Sequence, residues 1–399
     1  MSYLGAPPAR APLSSAQIED GTIATIDLAA GAVTTAKITD ANVTAAKVSS
    51  DVSQLGKNLI INGAMTVAQR GTQTGVGASG GYHNDQFRYT ATGTPTARFT
   101  TSKGTGITGA PGSQRIIVTT ADSALAAGVY YSMTTNIEGQ NLQHLGYGTA
   151  SAKAMTYQAV FKTDWAGTMT LVFSQPDGSR YYATPVALEG DESQEVFTFT
   201  LSGDASGQID NNTGNGFVVS LMLAAGSNFQ GGTTGAWAAS NNNILGAHNT
   251  GNFTDTIGNY IEFSLVQLEV GSVATDFEHE PISVTLAKCQ RYLYVPGAGA
   301  ASANEIVGQG IASSTTVALV KAYPPVEMRA AIAVTATAGD WKLNDGTASF
   351  DVTALAASVA GRRSIRLTVT VASGLTQYRD CELIADGTAN RILAFTAEL

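Results

Sequence analysis

At 399 residues, 44% hydrophobic and 13% charged, the chain is long enough for two or three domains with real apolar cores. Its 43 glycines and its wealth of Thr, Ser, Ala and Asn suit a β-rich, turn-rich protein of the extracellular or virion kind, not a helical cytosolic enzyme. The formal net charge of −9 argues against a nucleic-acid partner, because phosphate contacts need a basic surface.

Residues 1–17, MSYLGAPPARAPLSSAQ, read as an extended arm rich in Pro and Ala. From residue 18 to 56 the apolar anchors Ile18, Ile23, Leu28, Val33, Ile38, Val43 and Val48 recur every five residues. On a helix each such step turns roughly 140°, which smears the anchors around the cylinder. On a flat strand an odd step flips each anchor to the opposite face. The segment is therefore read as short extended pieces and bends. It can bury its anchors by coiling on itself as a pentapeptide β-helix, or by winding around two identical chains on a three-fold axis. A single-chain solenoid needs about three stacked repeats, and seven pentads make fewer than two coils, so the interwoven homotrimeric shaft is favoured over a solenoid and over a plain Ala/Thr linker.

From Lys57 the pattern changes to strands. AMTYQAVFKT places Met155, Tyr157, Ala159 and Phe161 on one face, and TMTLVFS does the same with Met169, Leu171 and Phe173. EVFTFTL, GFVVSLML and YIEFSLVQLEV follow, the last with Ile261, Phe263 and Leu265 facing one way. Clusters of Gly, Asn and Asp separate the runs, so residues 57–296 are expected to form an antiparallel β-sandwich or jelly roll closed by a short helix at SVTLAKCQRYL. After GAGAASAN come IVGQGIA, TTVALVKA, AIAVTAT, TASFDVT, SIRLTVTVA, RDCELIA and RILAFTAEL, which predict a second, smaller β-sandwich at 297–399.

Little in the sequence points to catalysis or to a cofactor. The histidines His83, His144, His248 and His279 lack metal-ligand spacing, and Cys289 and Cys381 read as free thiols. No GxSxG elbow or P-loop occurs. The carboxylates Asp191 with Glu192, and Asp204 with Asp210, fall in turn-like stretches where Asp serves the turn itself; a glycan-cleaving pair would stand about 5 to 10 Å apart in a groove. No stretch approaches the length of a transmembrane helix and no apolar signal peptide is evident, so neither membrane insertion nor secretory export is expected. Sugar binding needs aromatic faces near planar polar groups. Trp237 with Phe229, Asn241 and Asn242 is the best such constellation; against it stands Trp237 as a plug at the end of the sandwich. Tyr182 is a weaker candidate, as is Arg363 in the cluster Arg362, Arg363 and Arg366.

Several of these pieces together resemble the tail fibre proteins of tailed bacteriophages: MSYLGAPPA, the shaft ATIDLAAGAVTTAKITDANVTAAKV, then KNLIINGAMTVAQRG with NDQFRY, and finally FSLVQLEVGSVATDFEHEPISVTLAKCQRYL. The last two are the more specific, and the whole covers residues 1 to about 295. The resemblance implies a homotrimer held to the phage tail or baseplate through Tyr3, Leu4, Pro7 and Pro8. It also implies a sandwich like a carbohydrate-binding module, distal domains that bind host surface polysaccharide, and assembly in the host cytoplasm with release by lysis. The short shaft fits a structural head, neck or collar fibre as well. A polysaccharide-cleaving tailspike and a bacterial adhesin are the readings from other classes.

Overall fold

The computed structural model describes residues 18, 23–29, 32–34, 56–77, 80–240, 242–296, 305–337, 341–385 and 393–399. Two units divide the chain, Met1–Val52 and Ser53–Leu399. In the first, Thr25–Asp27 makes one 3-10 turn, its Asp27 carboxylate accepting the Ala24 N–H at 2.9 Å. Ile18, Ile23, Leu28 and Val33 stand 41% to 56% exposed in the single chain. Ile38, Val43 and Val48, with Tyr3, Leu4, Pro7 and Pro8 of the arm, lie outside the described residues.

The regular structure of the second unit is almost wholly antiparallel strand, as the alternating pattern predicts. Its first thirteen are β1 (Gln73–Val76), β2 (Gly81–Tyr82), β3 (Arg88–Thr92), β4 (Arg98–Gly104), β5 (Ser113–Thr120), β6 (Tyr130–Glu138), β7 (Met155–Thr163), β8 (Gly167–Gln175), β9 (Arg180–Leu188), β10 (Glu195–Leu201), β11 (Asn215–Ala225), β12 (Ala238–Ala239) and β13 (Tyr260–Val270). They form a six-stranded sheet in the order β1-β4-β5-β13-β7-β10 and a seven-stranded sheet in the order β12-β9-β8-β11-β6-β3-β2. The residues expected to face inward do so: Met155, Tyr157, Ala159 and Phe161 on β7, and Met169, Leu171 and Phe173 on β8, are all buried in one core. Rings from the two sheets interlock there, Tyr89 with Phe99 at 5.0 Å and Tyr157 with Phe173 at 5.7 Å between centroids.

One face assignment is corrected. Ile261 and Phe263 are in the core, but Leu265 takes φ 51° at a bulge between Ser264 and Gln267, and Val266 and Leu268 face the core beyond it. The bulge has a partner. Val266 donates its N–H to the Gly63 carbonyl at 2.9 Å, and the Leu59 N–H reaches the Leu268 carbonyl at 2.8 Å. The Asn58 side chain closes the junction: its Oδ1 accepts the N–H groups of Ile60 and Leu268 at 3.0 and 3.1 Å, and its Nδ2 donates to the Val266 carbonyl at 3.0 Å. Both Glu278 oxygens accept backbone N–H groups, from Gly56 and Asn58. The opening KNLIINGAM and the closing VQLEV to EHEP segments are therefore two halves of one clasp.

Helix α1 (Ile282–Gln290) follows, then β14 (Leu293–Tyr294). Between them and the sandwich sits a buried ion pair: Glu138, at the end of β6, accepts from Arg291 Nε and Nη2 at 2.7 and 2.8 Å and from the Tyr292 hydroxyl at 2.6 Å.

The remaining strands are β15 (Ile306–Ala312), β16 (Val317–Ala322), β17 (Ala333–Ala336), β18 (Trp341–Asn344), β19 (Ser349–Ala360), β20 (Ile365–Val371), β21 (Asp380–Ala385) and β22 (Leu393–Thr396). All seven sequence-predicted strands occur, yet the architecture is not a second two-sheet sandwich. Six strands close into a barrel in the order β15-β16-β20-β19-β18-β21, and β14-β22-β17 form a separate small sheet. Closure depends on β18, a four-residue strand absent from the sequence reading, which pairs with both β19 and β21 and buries Trp341. Two bulges bend β19 around the ring. β14 pairs with β22, Leu293 opposite Thr396, so the small sheet joins residues from either side of position 297. Cys289 and Cys381 are free and buried.

Candidate functional site

The outer face of the seven-stranded sheet carries a set of half-buried polar side chains. Side chains opposite one another in a sheet point the same way. Tyr82, Arg88, Thr134 and Ser220 therefore make a row across β2, β3, β6 and β11, with Tyr82 opposite Arg88, Arg88 opposite Thr134, and Thr134 opposite Ser220. A second row holds Asn136, Val218 and Ser174. These positions are half-buried, while their neighbours Tyr89, Met133 and Val219 fill the core. The hydroxyls of Thr134 and Ser220 are 3.0 Å apart.

Chain segments bound this strip at both ends. At one end residues 226–240 and 242–249 fold over β9, β8 and β11, placing Ile244 against Val172, Tyr181, Ala183 and Met222. Phe229 meets Tyr130 edge-on at 5.0 Å, and Thr170 receives the His248 N–H at 2.9 Å. At the other end the Leu399 main-chain oxygen accepts from the Tyr82 hydroxyl and from Asn136 Nδ2, each at 3.2 Å. The Arg70 guanidinium lies 4.9 Å from the Tyr82 ring centroid and pairs with Glu398 at 2.7 Å. Burial pushes the Tyr82 hydroxyl up to about 12 and Tyr130 upward as well. With Tyr82, Asn136 and Arg70 engaged by Leu399 and Glu398, the strip presents the Thr134 and Ser220 hydroxyls and the Arg88 guanidinium beside the Tyr82 and Tyr130 rings, which is chemistry suited to sugar hydroxyls and C–H faces.

The sequence-predicted constellation is dispersed. Trp237 is half-buried and edge-on to Tyr147, Tyr182 and Phe217, at 6.0, 5.7 and 6.2 Å, and its Nε1 donates to the Ser202 carbonyl at 2.6 Å. It packs beside Phe217 near one end of β11. Phe229 packs at the other end, where Gln230 of the same turn donates to the Ala225 carbonyl at 2.7 Å. Tyr182 is core, and Tyr181 is buried on the opposite face of the same strand. Asn241 lies outside the described residues; Asn242 begins a short 3-10 turn, Asn242–Ile244. Arg363 is on the barrel surface, its Nη2 2.6 Å from Glu327, which Arg362 also pairs. Arg88, Thr134 and Ser220 carry no distinguishing sequence signal, because polar residues at alternate positions are common to any solvent-facing strand.

The carboxylates considered for hydrolysis have other occupations. Asp191 accepts the Ser193 N–H at 2.8 Å, and hydrogen bonds from Ser193 hold its carboxyl below the ordinary range. Burial raises Asp204, but Arg180, bonded at 2.7 and 3.1 Å, outweighs it and holds that carboxyl low. Asp210 lies in an exposed turn, its N–H bonded to Asp177 at 3.0 Å. Among the described residues no group of three His, Cys, Asp or Glu side chains is placed to hold a metal, and no helix is long and apolar enough to cross a membrane.

No family model matches the chain and no curated protein matches it. Among solved structures it is similar to one described as "CBM4 structure and function", at 13% identity and a TM-score of 0.28 over 53% of this chain and 99% of that one. It is also similar to the family 11 carbohydrate-binding module of the Clostridium thermocellum cellulosomal cellulase Lic26A-Cel5E, at 11% identity and TM-score 0.27, over 52% and 98% of the two chains. A third similar structure is the enzymatically active domain of bacteriophage CBA120 tailspike protein 4, at 10% identity and TM-score 0.30, over 54% of this chain but 22% of that one. At identities and scores this low the likenesses bear on neither ligand nor activity, and the functional reading rests on this chain's own geometry.

Proposed function

We propose that the protein is a homotrimeric phage fibre that binds host surface polysaccharide through the outer face of its seven-stranded sheet, and that it binds without cleaving. The observation that carries the reading is the row Tyr82, Arg88, Thr134 and Ser220, a polar strip crossing four strands between two chain walls. Such a strip suits a linear saccharide laid across the strands. The exposed anchors Ile18, Ile23, Leu28 and Val33 support the interwoven shaft, since apolar side chains at that period gain burial from identical neighbours. Trimerisation would multiply weak single-site binding through effective concentration. The arm residues Tyr3, Leu4, Pro7 and Pro8 would join the trimer to the phage tail.

An array of neutral, acidic and amino-sugar oligosaccharides tests the face. The full chain is expected to bind at least one class, and R88A/T134A to lose about tenfold or more in apparent affinity, the worth of one or two hydrogen bonds to a charged or hydroxyl group. Trp237→Ala serves as the contrast. It should destabilise the fold by about 2 kcal/mol, part of the cost of truncating a fully buried ring, and leave glycan affinity unchanged at temperatures where it remains folded. Binding lost with Trp237 and kept in R88A/T134A would move the site to the end of the sandwich.

A further inference from the structure

One end of the barrel is made of three loops, 313–316, 345–348 and 372–379, joining β15 to β16, β18 to β19 and β20 to β21. They are knit together. Leu375 donates its N–H to the Thr315 carbonyl at 3.1 Å, Gln377 Nε2 reaches the Ser313 carbonyl at 3.0 Å, and Arg379 Nη1 reaches Thr347 Oγ1 at 2.9 Å. Between Gln377 and Arg379 in this knot is Tyr378, with φ 69° and 74% of its surface exposed.

Those two facts conflict with a structural role. The left-handed conformation disfavours a bulky side chain, and Gly or Asn is the usual occupant. A ring in solvent returns no burial to offset that cost. The backbone is nonetheless fixed on both sides, by the Tyr378 N–H to the Ala312 carbonyl at 2.8 Å and the Ala312 N–H to the Arg379 carbonyl at 2.9 Å. A strained residue held in place by its surroundings, with its side chain aimed at solvent, is the pattern of a binding group.

We propose that Tyr378 is the stacking platform of a second carbohydrate-binding site, at this loop end of the barrel, for a neutral pyranose. The sugar's C–H face lies on the ring, and its hydroxyls reach the exposed Thr315, Thr376 and Gln377 side chains. Arg379 stands 3.7 Å from Asp345, and exposed Asp380 follows it, so the surroundings offer no unopposed positive charge for an acidic sugar. The ligand class rests on the glycan-binding reading above; the location is independent of the sandwich face.

The test pairs thermal melts with the same oligosaccharide array, using the full chain and its Tyr378→Gly, Tyr378→Phe and R88A/T134A variants. Tyr378→Gly is expected to melt at or above the parent temperature, because Gly accepts the positive φ, and to lose about tenfold in binding to neutral glycans. Tyr378→Phe keeps the ring and should keep that binding. A Tyr378→Gly chain that melts lower with binding intact overturns the site and makes the ring structural. Glycan binding that falls only in R88A/T134A overturns this site alone. A parent chain that binds no glycan overturns this site and the glycan-binding reading together.

Discussion

Gly63→Ala is expected to lower stability by about 3 to 5 kcal/mol, combining the cost of overpacking with the loss of buried hydrogen bonds. A Cβ at residue 63 would stand 2.0 Å from the Val266 carbonyl oxygen and 3.1 Å from Asn58 Nδ2. The backbone of the 58–63 segment would have to back away from the bulge in β13. That movement strips Val266 N–H of its acceptor and pulls on the amide of Asn58, so one methyl group opens the whole clasp. Gly109 is the natural control, with φ 84° and no atom within 4 Å of an added Cβ; its replacement by Ala carries only the cost of left-handed backbone, about 1 to 2 kcal/mol. Thermal or denaturant melts of the two variants decide the matter, and a Gly63→Ala chain no less stable than Gly109→Ala would show that the clasp does not hold the sandwich shut.

Glu138→Ala is expected to cost about 3 to 5 kcal/mol, because removing one partner of a buried ion pair leaves the other charge uncompensated. The Glu138 side chain is fully buried, and Arg291, Tyr292 and Gln140 all donate to it. Glu138→Gln, which keeps acceptor and shape, should cost clearly less. The same site sets a pH dependence. Burial pushes the Glu138 carboxyl up, but the hydrogen bonds from Arg291 and Tyr292 outweigh it and hold the group below its ordinary value of 4.5. A depressed carboxyl contributes stability that is present above its unfolded value and lost as pH falls through the folded one. Parent stability should therefore drop on acidification below about pH 4.5, and that part of the drop should vanish in Glu138→Gln. Equal acid sensitivity in both chains would assign it elsewhere.

Much of the fold was legible because its strands obey a period of two. β7 and β8 present the inward residues that alternation names, and β13 does so up to Phe263. Beyond that point the pattern fails for a reason no local window contains, since the bulge at Leu265 answers to a segment some two hundred residues earlier. The barrel was hidden in the same way: closure turns on Trp341–Asn344, too short to announce itself as a strand. The site was the least legible part. Trp237 and Phe229 lie eight residues apart in sequence, yet the loop between them runs from one end of β11 to the other. Arg88, Thr134 and Ser220, far apart in the chain, become a row only through strand register. The pentads are a separate case, in which an odd period is informative because neither a lone helix nor a lone strand has a use for it.

The solution mass of the full chain, by light scattering across a range of concentrations, bears most directly on the account, because the multivalent fibre reading depends on three chains sharing Val33, Ile38 and Val43. A trimer of three times 41.1 kDa is expected, with dissociation favoured when those anchors are replaced by Ser. A full-length chain that stays at 41.1 kDa would contradict it, leaving an independent sugar-binding module on an Ala/Thr linker.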